Sequence, residues 1–462
     1  MELVPFSVIN EYLKEKLLHP SRYSRSAYSF LKIFQHGLYF HFTKQRHKVI
    51  FNYLRYPLWF QEFVYWVKSK RKSVGEKQKH LFKEYVILDP GRVVPGPDNQ
   101  WHSIYFDKIA SLIGSDRLTI INQREGTNNK ADYLLKGLIG RLPSLDNAER
   151  KLLKEINESL EFSHKSNQFS AAELKQIRSA MHIFFEEFRV YYNLFKDQPT
   201  QKILFICHYH NEGLIAATKC LGIECVEFQH GLIASNDLYY VYHEQFASVI
   251  GKSFFPEKIL VYGPYWKRIL ENGCEYHSHQ IFVAGDYLYR IHNSAPTERQ
   301  KENLLLVCAQ KNMHDDYTQY VRQLMTHMGE CPEWKVIVKL HPLEKNKEAY
   351  FELVALGVEI RDIETPLDEL LARAKIQVSI YSTTFYDALG FDVCNFSLQN
   401  YGSMSDYAAD MISEDVALPL FVHENPVHKF QNNQAAGKPF AARSEVYSTF
   451  DRETVEKAIG LS

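Results

Sequence analysis

Short, almost wholly apolar runs recur along the chain, each closed by a turn rich in glycine, proline or histidine. Glu84 to Leu88, Leu118 to Asn122, Lys202 to Cys207, Glu224 to Phe228 and Lys258 to Tyr262 form one group, and Asn303 to Cys308, Lys335 to Leu340 and Ile376 to Ile380 form a second. Continuous apolar runs of this length, without polar alternation, predict strands of parallel sheets covered on both faces. Helical spacing fills the gaps: Tyr105 to Gly114, Asp146 to Leu160, Ala171 to Phe195, a stretch stopped by Leu221-Gly222, and Asp315 to Met328. Thr365-Pro366-Leu367-Asp368 predicts a helix start with Thr as N-cap, Pro at the first helical position and Asp in the capping-box slot. Ser382, Thr383 and Thr384 open a helix that runs to Gly390.

Strands alternating with helices make the fold class α/β, with two Rossmann-like domains facing a cleft. At 462 residues, 45% hydrophobic and 14% aromatic, the chain exceeds the usual single-domain size and can build two large cores. The expected order is a basic aromatic helical segment at 1–80, an N-terminal domain at 81–265, a linker at 266–300, a C-terminal domain at 301–440, and a tail at 441–462 that packs back on the N-terminal domain.

Candidate chemistry gathers where strands end, since open α/β sheets bind ligands at the carboxyl ends of their strands. Gln229, His230 and Gly231 follow one strand: glycine permits close backbone approach, and Gln and His offer hydrogen bonds. Arg92 and His208 lie in loops that follow two other first-domain strands and join Gln229 and Gly231 as cleft or acceptor residues. Arg92 suits a phosphate or a carboxylate, or simply occupies a turn. In the second half Lys339, His341 and Pro342 form Lys-Leu-His-Pro, with Lys339 and His341 on one face two residues apart. Gln310, Ser382, Thr383, Thr384 and Asp387 complete the expected nucleotide set. A helix start with hydroxyls is both a cap and a phosphate site, and Asp387 either contacts a ribose or favours the helix dipole.

Gln-His-Gly after a first-domain strand, Lys-x-His-Pro in the second domain, and a Ser/Thr turn followed by Asp387-Ala388-Leu389 together resemble bacterial surface-polysaccharide transferases of the GT-B fold, over roughly Lys202 to Leu398. These are the capsule and lipopolysaccharide Kdo transferases, with the CDP-glycerol glycerophosphotransferases as relatives. The resemblance implies transfer of a sugar, of the Kdo type or a related ulosonic acid, from a CMP-activated donor to a growing surface glycan. It assigns His341, Ser382 and Thr383 to the cytidine nucleotide. A CDP-glycerol-type polyol-phosphate transferase and a non-catalytic glycan-assembly subunit remain alternatives. For the catalytic group the candidates are Glu212, Asp237 and His230. Glu212 is favoured as general base, because it lies beside a helix start, whereas Asp237 sits in the loop Ala234-Ser235-Asn236-Asp237.

Net charge is −1, which argues against a general nucleic-acid binder. Residues 1–80 nevertheless carry 15 Lys/Arg against 5 Asp/Glu, together with Tyr53, Tyr56, Trp59, Phe60, Phe63, Tyr65 and Trp66. Such a segment either packs as a helical layer or lies on an anionic membrane. Seven scattered cysteines without a Cys-x-x-Cys pair read as buried thiols. No signal peptide and no spanning apolar run are seen, so the expected place is the cytoplasm, with the inner face of the cytoplasmic membrane as the alternative. His208, His210, His230, His277 and His279 lack a suitably spaced carboxylate partner, so neither metal nor cofactor is expected.

Overall fold

The computed structural model describes residues 81–96, 100–123, 133–134, 154, 158, 170–235, 239–241, 255–273, 276–289, 301–311, 313–342, 344, 346–399, 408–436 and 443–461. The expectations for segment 1–80, for most of Asp146 to Leu160 and for Asp237 lie outside them. The chain divides into two units: the first holds the described residues up to His230, then 239–289 and 448–461, and the second holds Gly231–Ser235 and 301–447.

The first unit is built on a seven-stranded, wholly parallel sheet. Its first strand, β1 (Tyr85–Asp89), is followed by an antiparallel hairpin of β2 (Val93–Pro95) and β3 (Trp101–Ser103), helix α1 (Asp107–Ile113), β4 (Leu118–Asn122) and β5 (Tyr133–Leu134). Then come α2 (Ala171–Phe195), β6 (Lys202–Phe205), α3 (Glu212–Leu221), β7 (Glu224–Phe228), β8 (Lys258–Val261), α4 (Pro264–Asn272) and β9 (Ile281–Val283). The spatial order β5-β4-β1-β6-β7-β8-β9 starts at β1, grows one way through β4 and β5, then returns to the other side with β6. That reversal opens a crevice between the carboxyl ends of β1 and β6.

Residues 266–300 are therefore not a linker throughout. Helix α4 and the edge strand β9 extend the first sheet, and a three-residue strand is too short to register as an apolar run.

Local sequence explains the long helix pair. Ser170 and Glu173 close a capping box at the start of α2. Gly222, at φ +70, ends α3 in the left-handed conformation that favours glycine. The helices touch at Gly213, where a Cβ would fall 2.6 Å from the Phe188 nitrogen and 2.7 Å from the Phe184 oxygen. Only glycine lets the backbones come this close.

The second unit repeats the plan with six parallel strands: β10 (Leu304–Cys308), β11 (Lys335–Lys339), β12 (Glu359–Arg361), β13 (Ile376–Ser379), β14 (Cys394–Leu398) and β15 (Leu418–Leu420). Their order, β12-β11-β10-β13-β14-β15, again reverses at the first strand, so the crevice lies between β10 and β13. Both units are thus Rossmann-like. The helices are α5 (His314–Met328), α6 (Leu367–Arg373), α7 (Thr384–Ala388), α8 (Ala409–Ser413), α9 (Pro426–Ala436) and α10 (Arg443–Val446). One core cluster packs Leu305, Val307, Val338, Val378 and Phe396 against Tyr317, Val321 and Leu324 of α5. Each fully buried aliphatic side chain there contributes about 1.5–3 kcal/mol. Pro366 is the N-cap of α6 and not its first helical residue, since its ψ of 137° is extended, and no side chain caps that helix.

The chain then returns to the first unit with α11 (Arg452–Ile459), which packs against β8 and β9. Gly460 O accepts from the Tyr85 hydroxyl at 3.1 Å and Ala458 O from Lys258 Nζ at 2.8 Å. Gly285, at φ +75, lies directly against the Thr449 backbone, where no Cβ fits.

Candidate functional site

In the first unit, the strand ends beside the crevice carry Arg92, Tyr209 and His230. Asp89 Oδ1 accepts from the Gly91 N–H at 2.8 Å, and with Gly91 at φ +72 the chain turns sharply out of β1 into Arg92. Beyond β6 the backbone turns at Cys207, a non-glycine residue at φ 60, into a 3-10 turn over His208–His210. Strained backbone of this kind persists only where its surroundings fix it.

Here the fixing group is Glu227, fully buried within β7. It accepts from the His208 N–H at 3.1 Å, His208 Nδ1 at 2.8 Å, the Tyr240 hydroxyl at 2.8 Å and the Tyr276 hydroxyl at 3.3 Å. His208 Nε2 donates to Tyr239 O at 2.9 Å, so both ring nitrogens carry protons and the pair is imidazolium and carboxylate. Burial works to raise the Glu227 carboxyl, but the His208 charge and these hydrogen bonds hold it below its ordinary value. His208, 0% exposed, does not reach an acceptor as expected from the sequence; it shapes the turn.

Gln229 is corrected in the same way. It is fully buried, its Oε1 accepts from the Tyr262 N–H at 3.0 Å, and its carbonyl accepts from the Tyr287 hydroxyl at 2.7 Å, so it ties β7 to β8. Gly231 begins the segment that belongs to the second unit, where the Ser235 N–H and hydroxyl both donate to the Asp410 carboxylate, the hydroxyl at 2.5 Å.

His230 stays partly exposed. Its Nε2 lies 3.1 Å from the Tyr209 hydroxyl, and its carbonyl accepts from the Tyr105 hydroxyl at 3.2 Å. Tyr105 in turn accepts from Arg92 Nη1 at 2.9 Å. The Tyr209 ring stacks on Tyr239 with centroids 4.2 Å apart, so the buried ion pair, through Tyr239, also sets the platform under Tyr209.

Glu212, in the first turn of α3, is 8% exposed and packs toward Glu187 of α2. Burial and the neighbouring Glu212 charge raise the Glu187 carboxyl well above its ordinary value, against one hydrogen bond from the Gly213 N–H. Two carboxylates so placed cannot both ionise cheaply.

In the second unit, Gln310, Ser382 and Thr383 flank the crevice, and a single buried phenol organises it. The Tyr317 hydroxyl donates to Gln310 Oε1 at 3.0 Å, accepts from the Ile380 N–H at 3.2 Å and lies 2.9 Å from Ser379 Oγ. Ser379 Oγ donates to Cys308 O at 2.8 Å, which closes the link from β13 to β10. The Tyr381 N–H also reaches Gln310 Oε1, at 3.4 Å. The Gln310 amide nitrogen and the Thr383 hydroxyl make no hydrogen bond to the described residues, so both have donors left for a ligand. His341 and Pro342 follow β11, the next strand end along, with His341 partly exposed and its carbonyl accepting from the Glu344 N–H at 2.9 Å. Neighbouring strands lie about 4.8 Å apart, so the ends of β11, β10 and β13 span roughly 10 Å.

Other members of the expected set have internal duties. Lys339, 8% exposed, donates from Nζ to Asp362 O at 2.7 Å and Leu340 O at 3.2 Å, so it braces the loop after β12 and does not point outward beside His341. Burial lowers its ammonium below the ordinary value. Thr384 Oγ1 donates to Ser382 Oγ at 3.0 Å and accepts from the buried Gln377 amide. Helix α7 spans five residues with Thr383 as its N-cap and ends at Ala388, two residues short of Gly390, so the Ser/Thr turn does open a helix, but a short one that no side chain caps. Asp387 lies in the first turn of that helix.

Neither a family model nor a curated protein matches the chain. Among solved structures, it is similar to the Staphylococcus aureus MnaA–UDP co-structure, at TM-score 0.42 and 10% identity, covering 81% of this chain and 94% of that one. It is also similar to the Methanocaldococcus jannaschii UDP-GlcNAc 2-epimerase in complex with UDP-GlcNAc and UDP, at 0.44 and 10%, covering 82% and 98%. The calicheamicin glycosyltransferase CalG4 gives 0.45 and 12%, covering 82% and 94%. Among the described residues no group of three or more His, Cys, Asp or Glu could hold a metal ion, and no helix is long and apolar enough to cross a membrane.

Tyr105, Tyr209, Glu227, Glu187 and Tyr317 escape the sequence reading. One signal was present for Glu227: a charged residue inside an otherwise apolar strand is almost never buried unless paired.

Proposed function

We propose that this chain is a GT-B-type glycosyltransferase that moves a sugar, of the Kdo type or a related ulosonic acid, from a CMP-activated donor to a hydroxyl of a growing bacterial surface glycan. The observation that carries the reading is the placement of the Gln-His-Gly, His-Pro and Ser/Thr motifs at strand ends in or beside the switch-point crevices of two sheets whose first six strands follow the same order.

In this reading the second unit holds the donor. The Gln310 amide and the Ser382 and Thr383 hydroxyls meet its phosphate and ribose, and His341 approaches from the β11 end. The first unit holds the acceptor. His230, oriented by Tyr209, takes the acceptor proton as the new C–O bond forms and the bond to the nucleotide phosphate breaks, so the electron pair leaves with CMP. His230 serves better as base than Glu212, whose carboxyl is packed against Glu187.

A thermal-shift comparison of CMP, UMP and GMP tests the donor assignment. CMP should stabilise the protein most, and His341→Ala should diminish that shift in a protein of unchanged circular dichroism. Stabilisation by the uridine nucleotide alone would overturn it.

A further inference from the structure

The sharpest feature that the proposed chemistry leaves unused is Arg92. It leaves β1 at the switch point of the first unit, partly buried, with its guanidinium 5.9 Å from the centre of the Tyr105 ring. Its side chain makes one hydrogen bond among the described residues, from Nη1 to the Tyr105 hydroxyl at 2.9 Å, and no carboxylate among them pairs with it. Asp89, the nearest acid in sequence, receives the Gly91 N–H. Arginine has five donors, so four are unused by the described residues.

A guanidinium withdrawn from water normally has an anion beside it, because desolvating an unmatched charge is costly. We infer that Arg92, with Tyr209 and His230 beside the same crevice, receives the carboxylate of an acidic sugar, which makes the acceptor a carboxylated glycan. This rests on the assignment of the acceptor to the first unit. Charge count selects the carboxylate over a phosphate: the cluster of Arg92, Tyr105, Tyr209 and His230 brings one fixed cation and two phenols, and the buried Asp89 already acts on Tyr105, so a singly charged group fits better than a doubly charged one. The planar fork of the guanidinium also fits a carboxylate bidentately.

Calorimetry would titrate the full chain with the methyl glycosides of Kdo and of glucuronic acid, each beside its uncharged carboxamide, and with inorganic phosphate. At least one acid should bind at least about tenfold more tightly than its amide, as expected for a charge-assisted bidentate contact. Arg92→Gln should abolish the difference, and Arg92→Lys should restore part of it, since lysine keeps the charge and loses the fork. Equal binding of acid and amide, phosphate binding more tightly than either acid, or an acid affinity unchanged in a folded Arg92→Gln protein would each overturn the inference. CMP stabilisation measured on the same variants separates this failure from that of the donor assignment, because loss of the CMP effect in the wild-type protein would strike only the latter.

Discussion

The hydroxyl of Tyr209 lies 3.1 Å from Nε2 of His230, and the two residues come from turns after adjacent strands, β6 and β7. The pairing links the histidine expected from the sequence to a tyrosine that the sequence does not flag. If His230 is the base, His230→Ala should lower kcat by about a hundredfold or more, the usual span of general-base catalysis. Tyr209→Phe keeps the stacked ring and removes only the orienting hydroxyl, so it should lower kcat by about tenfold with the KM for donor little changed, the loss of one hydrogen bond. Steady-state kinetics on the two variants check both values; a wild-type kcat in His230→Ala would remove the residue from the mechanism.

Lys339 gives a contrast. Replacing it with Met leaves the carbonyls of Asp362 and Leu340 without this donor, at a cost of about 1–3 kcal/mol. CMP affinity should change less than about threefold, because no direct ligand contact is lost. Urea unfolding and nucleotide titration of Lys339→Met measure the two separately, and a stable variant that no longer binds CMP would return the lysine to the donor site.

Breaking the buried ion pair should be worse. Glu227→Gln strands the His208 imidazolium, and removal of one partner of such a pair costs about 3–5 kcal/mol. The Glu227 carboxyl is held below its ordinary value, so its contribution to stability is present above the unfolded-state value and is lost as pH falls through the folded-state value. Acid unfolding of the wild type should therefore show a step that the variant lacks.

The acidic face of α2 should behave oppositely. Burial pushes the Glu186 carboxyl up from 4.5 to about 7, and Glu187 is raised well above 4.5. With raised values the folded chain binds protons more tightly than the unfolded one. Stability from these groups is full below pH 4.5 and declines as pH rises through about 7 for Glu186 and higher still for Glu187. A Glu186→Gln, Glu187→Gln double variant should gain in melting temperature relative to wild type as pH goes from about 5 to 8. A constant difference across that range would count against the shifts.

Strands with apolar runs were legible because burial on both faces leaves little choice of residue: β1, β4, β6, β7, β8, β10, β11 and β13 fall where such runs predict them. Edge strands β5, β9, β12 and β15, of two or three residues, are too short to impose a pattern, and the hairpin of β2 and β3 hid in a Gly/Pro loop. Among site residues, strand-end position was readable and side-chain direction was not. Lys339 and His341 share a strand face by spacing, yet the chain leaves the ladder after Lys339, and the lysine turns inward to the β12 loop. His208 and Gln229 look like reactive groups in sequence, but they satisfy backbone and carboxylate groups that only the fold brings near.

The return of residues 448–461 to the first unit has a consequence for biosynthesis. Most of that unit is made early, yet β8 and β9 are covered by α11, and the Gly285 turn is closed by Thr449, after the whole second unit has been translated. During elongation the second unit has all of its residues once Tyr447 is made, since Gly231–Ser235 precede 301–447, whereas the first must wait with apolar surface on β8 and β9 open to water and to chaperones. The part made first is thus the last to be finished.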